Sequence, residues 1–239
     1  MRTFTYAERP DLAARTGEIA DTFAPFLGEG EIAKRHWHKL REELPELQLV
    51  LWDEERDRVV GHARTIPVST AGGLPGGVDD ALEAWFGDGT RPEPDVLSAM
   101  VAVVDRDHQG QGLSAVLIAG MTHLARRNEF PALVAPVRPN WKDRYPLIPM
   151  ERYVRWTRDD GLPFDPWLRV HARLGAELLE VCAASMTIEG STEEWKAWTG
   201  LEFPDDGDYL VHGGLVPVRF EDGRGSYVEP NVWMRHPVT

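Results

Sequence analysis

The chain has 239 residues, 42% of them apolar, enough to bury a sizeable core in an ordinary globular protein. Its 26 basic and 39 acidic residues leave a formal charge of −13, which disfavours general nucleic-acid binding and suits a cationic substrate such as an amine, or simply a solubilising surface. A lone cysteine, Cys182, excludes an internal disulfide and no apolar run reaches the roughly 18 residues of a membrane helix, so the expectation is a soluble, cytoplasmic protein.

Residues 3–9 read as a short edge strand, and Pro10 with Asp11 start an amphipathic helix expected to run to about Ala24. A second helix is predicted over 31–44, ended by Pro45. Residues 47–53 and 59–68 form a hairpin pattern around the charged turn Glu54-Glu55-Arg56-Asp57-Arg58. Residues 71–95, rich in Gly, Pro and Asp, predict a long loop carrying a short helix at 79–86. The stretch 96–104 is apolar at nearly every position, as in a strand covered on both faces. Leu113, Leu117, Met121 and Leu124 recur three or four residues apart and predict a helix over 113–126, followed by a buried strand at 132–137.

Five prolines interrupt residues 138–166 around a short helix near 150–157. A helix at about 166–174 and a strand at about 177–188 follow. Ser191 and Glu194 resemble a capping box, so a helix starts at Ser191 or Thr192, and strands near 209–220 and 226–236 close the chain. No repeat and no linker divides the pattern. The fold class is mixed α/β (α+β), one domain over 1–239 with insertions at about 71–95 and 138–166 and a β-rich C-terminal extension at about 189–239.

The segment Asp105-Arg106-Asp107-His108-Gln109-Gly110-Gln111-Gly112-Leu113-Ser114 lies where the buried strand gives way to the helix. Gly110, Gly112 and Ala115 fit the G-x-G-x-x-A dinucleotide spacing. In that motif the first glycine follows the strand directly, whereas here Asp105 to Gln109 intervene and the next strand ends without an acidic residue to hold a ribose. Ser114 lacks the two flanking glycines of a nucleophile elbow. There is no Walker lysine and no zincin motif, and His36 and His38 diverge on their helix, so no metal site is expected. The remaining reading is an anion cradle: small residues at 110, 112 and 114 let successive N–H groups converge on a phosphate at a helix start.

Gln109-Gly110-Gln111-Gly112-Leu113-Ser114 resembles the Q/R-x-x-G-x-G/A signature of the GNAT acyl-CoA N-acyltransferases, with Ser114 in the last small position. The order hairpin, apolar strand, signature, helix, strand also matches that family, over about residues 3–188. The resemblance implies a mixed, largely antiparallel central sheet flanked by helices, with acetyl-CoA (or another acyl-CoA) as co-substrate and no metal. It implies transfer of acetyl to the amine of a small molecule or peptide by direct attack, with a homodimer possible. Gln109 through Ser114 would hold the coenzyme A pyrophosphate, and the backbone of Ala102, Val103 and Val104 would pair with the pantetheine arm. Asn140 stands where the family often has an Asn facing the cofactor, and is also a plausible turn residue after Pro139.

His171 aligns with the tyrosine of the family's Y-x-x-x-G-F pattern, whose hydroxyl protonates the departing thiolate. A structural histidine at a helix end is the plain alternative, and Tyr145 and Tyr153 are rival general acids. The histone-acetylating branch has a basic Glu where counting back from the signature finds Ser98. That leaves Asp95, His62, Glu189 and Glu229 as general-base candidates, or an ordered water in their place. Trp141, Tyr145, Tyr153 and Trp156 among Arg144, Arg152, Arg155 and Arg158 either grip an acceptor or form a subdomain whose arginines pair with Asp159, Asp160 and Asp165. Trp195, Trp198 and Trp233 either cap the sheet or cover the acceptor cleft. Rival functions are a non-catalytic acyl-CoA-binding module, and an acyltransferase whose longer acyl chain runs along 71–95.

Overall fold

The computed structural model describes residues 1–19 and 23–238. In chain order the elements are β1 (Arg2–Thr5), α1 (Pro10–Ala14), α2 (Glu31–His36), α3 (Lys39–Glu43), β2 (Leu49–Asp53), β3 (Arg58–Val68), α4 (Val78–Phe86), β4 (Val96–Val104) and α5 (Leu113–Arg127). There follow β5 (Ala132–Val137), α6 (Met150–Tyr153), α7 (Pro166–Arg173), β6 (Glu177–Ser191), α8 (Thr192–Thr199), β7 (Gly207–Tyr209), β8 (Val218–Glu221) and β9 (Arg224–Pro237).

The nine strands form one sheet in the order β1-β2-β3-β4-β5-β9-β8-β7, with β6 pairing along β9. The β4–β5 ladder is parallel and the others are antiparallel. Parallel neighbours need a crossover, and α5 supplies it. Its stripe of Leu113, Leu117, Met121 and Leu124 is buried against the sheet, which is why the three-and-four spacing was readable. β4 and β5 are covered on both faces, hence their unbroken apolar runs.

Two features of this sheet create the site. The β4–β5 ladder consists only of Leu97 with Leu133 and Ser98 with Val134, so beyond Ser98 the strands part. Within β4, Val101 pairs with Arg64 and Ala99 with Thr65, leaving Met100 as the extra residue of a bulge.

Several elements depart from the sequence expectation. The helix predicted from Pro10 to Ala24 stops at Ala14 and continues as a 3-10 turn over Thr16–Glu18, while residues 20–22 lie outside the described part. The helix predicted over 31–44 breaks at Trp37 and His38. There the N–H of Arg41 turns from the Trp37 carbonyl to that of His38 at 3.1 Å, and the Trp37 carbonyl accepts the Arg64 guanidinium at 3.3 Å. A tertiary bond has replaced a helical one. The strand predicted over 209–220 is two short strands, β7 and β8, and the helix near 150–157 ends at Tyr153. The Ser191–Glu194 capping box forms as expected, each side chain meeting the other's backbone N–H.

The C-terminal extension brings its own apolar cluster, in which Trp195, Phe203, Phe220 and Tyr227 pack around Phe26. Trp195 and Trp233 are buried and hydrogen-bonded, to Gly225 O at 3.0 Å and Pro75 O at 3.1 Å. Through the second bond, and through Val78 N to Ser185 Oγ at 3.2 Å, the 71–95 insertion is fastened over β6 and β9.

Candidate active site

The turn between β4 and α5 is built by Asp105. This buried carboxylate accepts from Asp107 N and His108 Nδ1, both at 3.0 Å, and from Arg58 Nη2 at 3.3 Å. Hydrogen bonds and nearby cations hold its pKa below the usual value against the opposing cost of burial, which is the largest single influence. The five polar residues that spoil a dinucleotide motif are thus a 3-10 turn that carries the chain from strand to cradle.

Gly110 and Gly112 follow with φ of 76° and 78°, the left-handed region that glycine enters without steric cost. Open space surrounds both α-carbons, so backbone conformation rather than crowding demands glycine there. Gly112 is the N-cap of α5 and offers no side-chain acceptor. The first helical bonds start at Ala115, leaving the N–H groups of Gly110, Gln111, Gly112, Leu113 and Ser114 without a partner among the described residues. With the positive end of a 15-residue helix behind them, these amides can receive a pyrophosphate. Gln109 leans back onto the Val104 carbonyl at 3.4 Å.

Beside the cradle the strands have parted. Ala102, Val103 and Val104 bond to β3 on one edge and turn the other to the gap. Asn140 is exposed where the chain leaves β5. Its position is set by buried Asp165, which accepts from Asn140 N at 3.3 Å, Trp141 N at 2.8 Å, Tyr153 Oη at 2.8 Å, Trp167 N at 2.9 Å and Leu168 N at 3.1 Å. One carboxylate therefore caps α7 and pins the exit of β5.

The three acid candidates have different surroundings. His171, near the end of α7, is buried with Nδ1 2.8 Å from His236 Nε2, while its own Nε2 has no partner. Burial, then the neighbouring imidazole, lowers its pKa to about 3, so the ring is neutral at pH 7 and must gain a proton before it can give one. Tyr153 commits its proton to Asp165, and burial next to that carboxylate raises its pKa far out of range. Tyr145 packs among Tyr153, Trp156 and Phe164, and its hydroxyl makes no hydrogen bond to the described residues.

The base candidates are dispersed. His62 sits on β3 opposite Val103, with Nδ1 unpartnered and its pKa lowered to about 4 by burial and by nearby Arg64. Asp95 is exposed and closes the 71–95 insertion through Thr70 N and Oγ1, both at 2.7 Å. Glu189 is exposed on β6. Glu229 is fully buried against Arg138, whose Nε lies 3.0 Å from both its oxygens, and Tyr227. Ser98, at the position of the family's Glu, is buried with Oγ unpartnered. Among the described residues no cluster of His, Cys, Asp or Glu could hold a metal ion.

No family model matches the chain. Two solved structures share its fold along essentially the whole length. One is the loading GNATL domain of CurA from Lyngbya majuscula, with TM-score 0.59 and 15% identity over 99% of this chain and 96% of that one. The other is the GphF GNAT-like decarboxylase in complex with isobutyryl-CoA, with TM-score 0.58 and 18% identity over all of both chains. In sequence the chain is 30% identical to the arginine N-acetyltransferase avaD of Aspergillus versicolor, over 98% of its own length and 93% of that protein's. The chain belongs to the GNAT N-acetyltransferases. It is an N-acyltransferase with an acyl-CoA as co-substrate and an amine-bearing acceptor.

Several residues that shape this acetyltransferase carried little sequence signal. Arg138 and Lys142 carried no pattern that singled them out, yet Lys142 is fully buried, its Nζ 2.6 Å from Leu215 O and 2.9 Å from Tyr145 O. Burial lowers its pKa to about 8. Asp165, which one of the two readings of the insertion paired with arginines, serves backbone amides and Tyr153 instead. The signal that could have found this role is an acid directly before Pro166, an N-cap pattern. Of the insertion's arginines, Arg158 meets Asp160 at an exposed 3.7 Å and Arg144 stacks over Trp141 at 4.6 Å.

Proposed function

We propose that this enzyme transfers acetyl from acetyl-CoA to a nitrogen of arginine or of a small molecule or peptide built on it. The observation that carries the donor is the row of five free amides from Gly110 to Ser114 at the mouth of the parted strands. The acceptor is inferred from the 30% identity, along nearly the whole chain, with an arginine N-acetyltransferase. A formal charge of −13 suits a cationic acceptor.

In this reading the cradle fixes the pyrophosphate, the free edge of Ala102 to Val104 pairs with pantetheine, and the thioester reaches the bulge at Met100. There the strand's amides polarise the carbonyl as the oxygen gains charge. The acceptor nitrogen, having lost a proton, forms the N–C bond while the C–S bond breaks, and the thiolate takes up a proton. Among the base candidates His62 fits best, because burial keeps its ring neutral and its Nδ1 has no partner among the described residues. Tyr145, with an uncommitted hydroxyl, and His171, with a bare Nε2, are the groups to compare for the final protonation. The single, buried Cys182 fits a reducing cytoplasm, and among the described residues no helix is long and apolar enough to cross a membrane.

Calorimetric titration with acetyl-CoA, followed by a thiol-release assay with arginine and simple amines, tests the proposal. Acetyl-CoA binding with arginine-dependent thiol release supports it. A folded protein that binds no coenzyme A overturns it, and one that binds acetyl-CoA but releases thiol with no amine is a binding module instead.

A further inference from the structure

Three buried polar atoms without partners among the described residues lie along one strip of the sheet: His62 Nδ1, Arg64 Nε and Ser98 Oγ. Register makes them neighbours. His62 pairs with Val103, Arg64 with Val101, and Ile66 with Ser98. Gly61 points at Leu117 of α5, so the alternation of β3 sends His62, Arg64 and Ile66 to the face away from that helix. The bulge at Met100 keeps Ser98 and Val101 on the same face. The strip borders the gap that opens beyond Ser98, on the side opposite α5.

Arg64 is the most unusual of the three. Its guanidinium is half-buried, with Nη1 3.3 Å from Trp37 O and the Trp37 ring 5.4 Å away. Among the described residues no carboxylate reaches it, although acids outnumber bases 39 to 26. The contrast is Arg138, which meets its burial with Glu229. A cation withdrawn from water without a counter-ion is costly, and a guanidinium whose buried Nε has no partner among the described residues can be satisfied by a carboxylate through two parallel hydrogen bonds. Trp37 gives up a helical hydrogen bond to hold this group, which is why the predicted helix over 31–44 is broken there.

We infer that Arg64 is the anchor for a carboxylate on the acceptor, so that the enzyme acetylates amines or guanidines that carry an acid group. The inference rests on the transferase reading above. Its geometry is direct: Val101, the register partner of Arg64, adjoins the bulged Met100 where the thioester is placed. An acceptor held by its carboxylate at Arg64 has its nitrogen end free to turn toward the gap.

The test compares arginine with agmatine, which is arginine without the carboxylate, in wild type, Arg64→Gln and Arg64→Lys. Wild type is expected to favour arginine in kcat/KM by about 10- to 100-fold, the effect of a charge-assisted pair. The ratio falls towards one in Arg64→Gln and stays intermediate in Arg64→Lys, which keeps the charge and loses the fork. Val101→Glu, which offers Arg64 a carboxylate from its register partner, should also lower the ratio. Equal use of arginine and agmatine by wild type, or a ratio unmoved in Arg64→Gln, overturns the anchor and leaves the transferase reading intact. Should wild type bind acetyl-CoA but release thiol with neither compound, the arginine acceptor of the proposed function fails. Titration of arginine and agmatine into the CoA-loaded protein then decides the anchor. Weaker arginine binding in Arg64→Gln, with agmatine unmoved, upholds it, and equal binding of the two overturns it. Thermal melts of the variants separate loss of fold from loss of recognition.

Discussion

The Nε of Arg138 lies 3.0 Å from both carboxylate oxygens of Glu229, a side chain with no exposed surface, and Tyr227 adds a third bond at 2.8 Å. Burial pushes the Glu229 pKa up, and Arg138 and Tyr227 pull against it. Removing one partner of a buried pair is worse than removing both. Arg138→Met should destabilise the fold by about 3–5 kcal/mol, whereas Arg138→Met with Glu229→Met should recover most of that loss. Urea unfolding of the single and double variants measures both. If the single variant unfolds like wild type, the pair contributes little and Glu229 regains standing as a base.

The cradle depends on Gly112 at φ 78° with open space beyond its α-carbon. Gly112→Ala should cost about 1 kcal/mol in stability, since a β-carbon disfavours the left-handed region. Gly112→Trp should fold yet lose acetyl-CoA binding, because its side chain would cover the five free amides. Calorimetric titration beside a thermal melt distinguishes the two effects. Undiminished acetyl-CoA affinity in a folded Gly112→Trp would remove the pyrophosphate from this loop.

Much of this site was legible because its signals are local. The apolar run of β4, the three-and-four spacing of α5 and the paired glycines between them are written within about 30 consecutive positions of the chain, and β4 and β5 came out with the predicted limits. What escaped was set by contacts between distant residues. Arg138 finds Glu229 91 positions away, and His171 finds His236 65 positions away, with no pattern that joins them. The break at Trp37 is similar. Its sequence is good helix, and only a guanidinium arriving from β3 diverts the carbonyl. Ser98 shows the limit of counting, because the bulge at Met100 that decides which face each residue takes is not visible in an unbroken apolar run.

His171 and His236 make a buried pair whose protonation is suppressed by folding. The His171 pKa falls from 6.5 to about 3, and that of His236 is lowered as well, in both cases chiefly by burial. The sign follows from proton uptake. Between pH 6.5 and about 3 the unfolded chain binds protons that the folded state refuses, so stability declines as pH falls through that window. Above pH 6.5 both states are neutral at this site and it adds no slope. His171→Phe should therefore lose less stability than wild type between pH 7 and 4, which thermal melts across that range would show. Parallel curves for the two proteins would assign the acid sensitivity to other groups.

Asp165 joins the site to its support. Its two oxygens accept five hydrogen bonds, from the first turn of α7, the exit of β5 and Tyr153. Asp165→Ala removes a helix cap and strands buried donors, so a loss of about 3 kcal/mol or more is expected by urea unfolding. Asp165→Asn keeps an acceptor for the cap but loses the charge that holds the remaining donors, and should fall between Ala and wild type. Because Asn140 and Trp141 hang from the same carboxylate, the β5 side of the gap should loosen as well, and acetyl-CoA affinity should fall in both variants. A variant that lost stability while binding acetyl-CoA as tightly as wild type would show that α7, and not the β5 exit, is what Asp165 secures. Asn140 would then play no part in holding the donor.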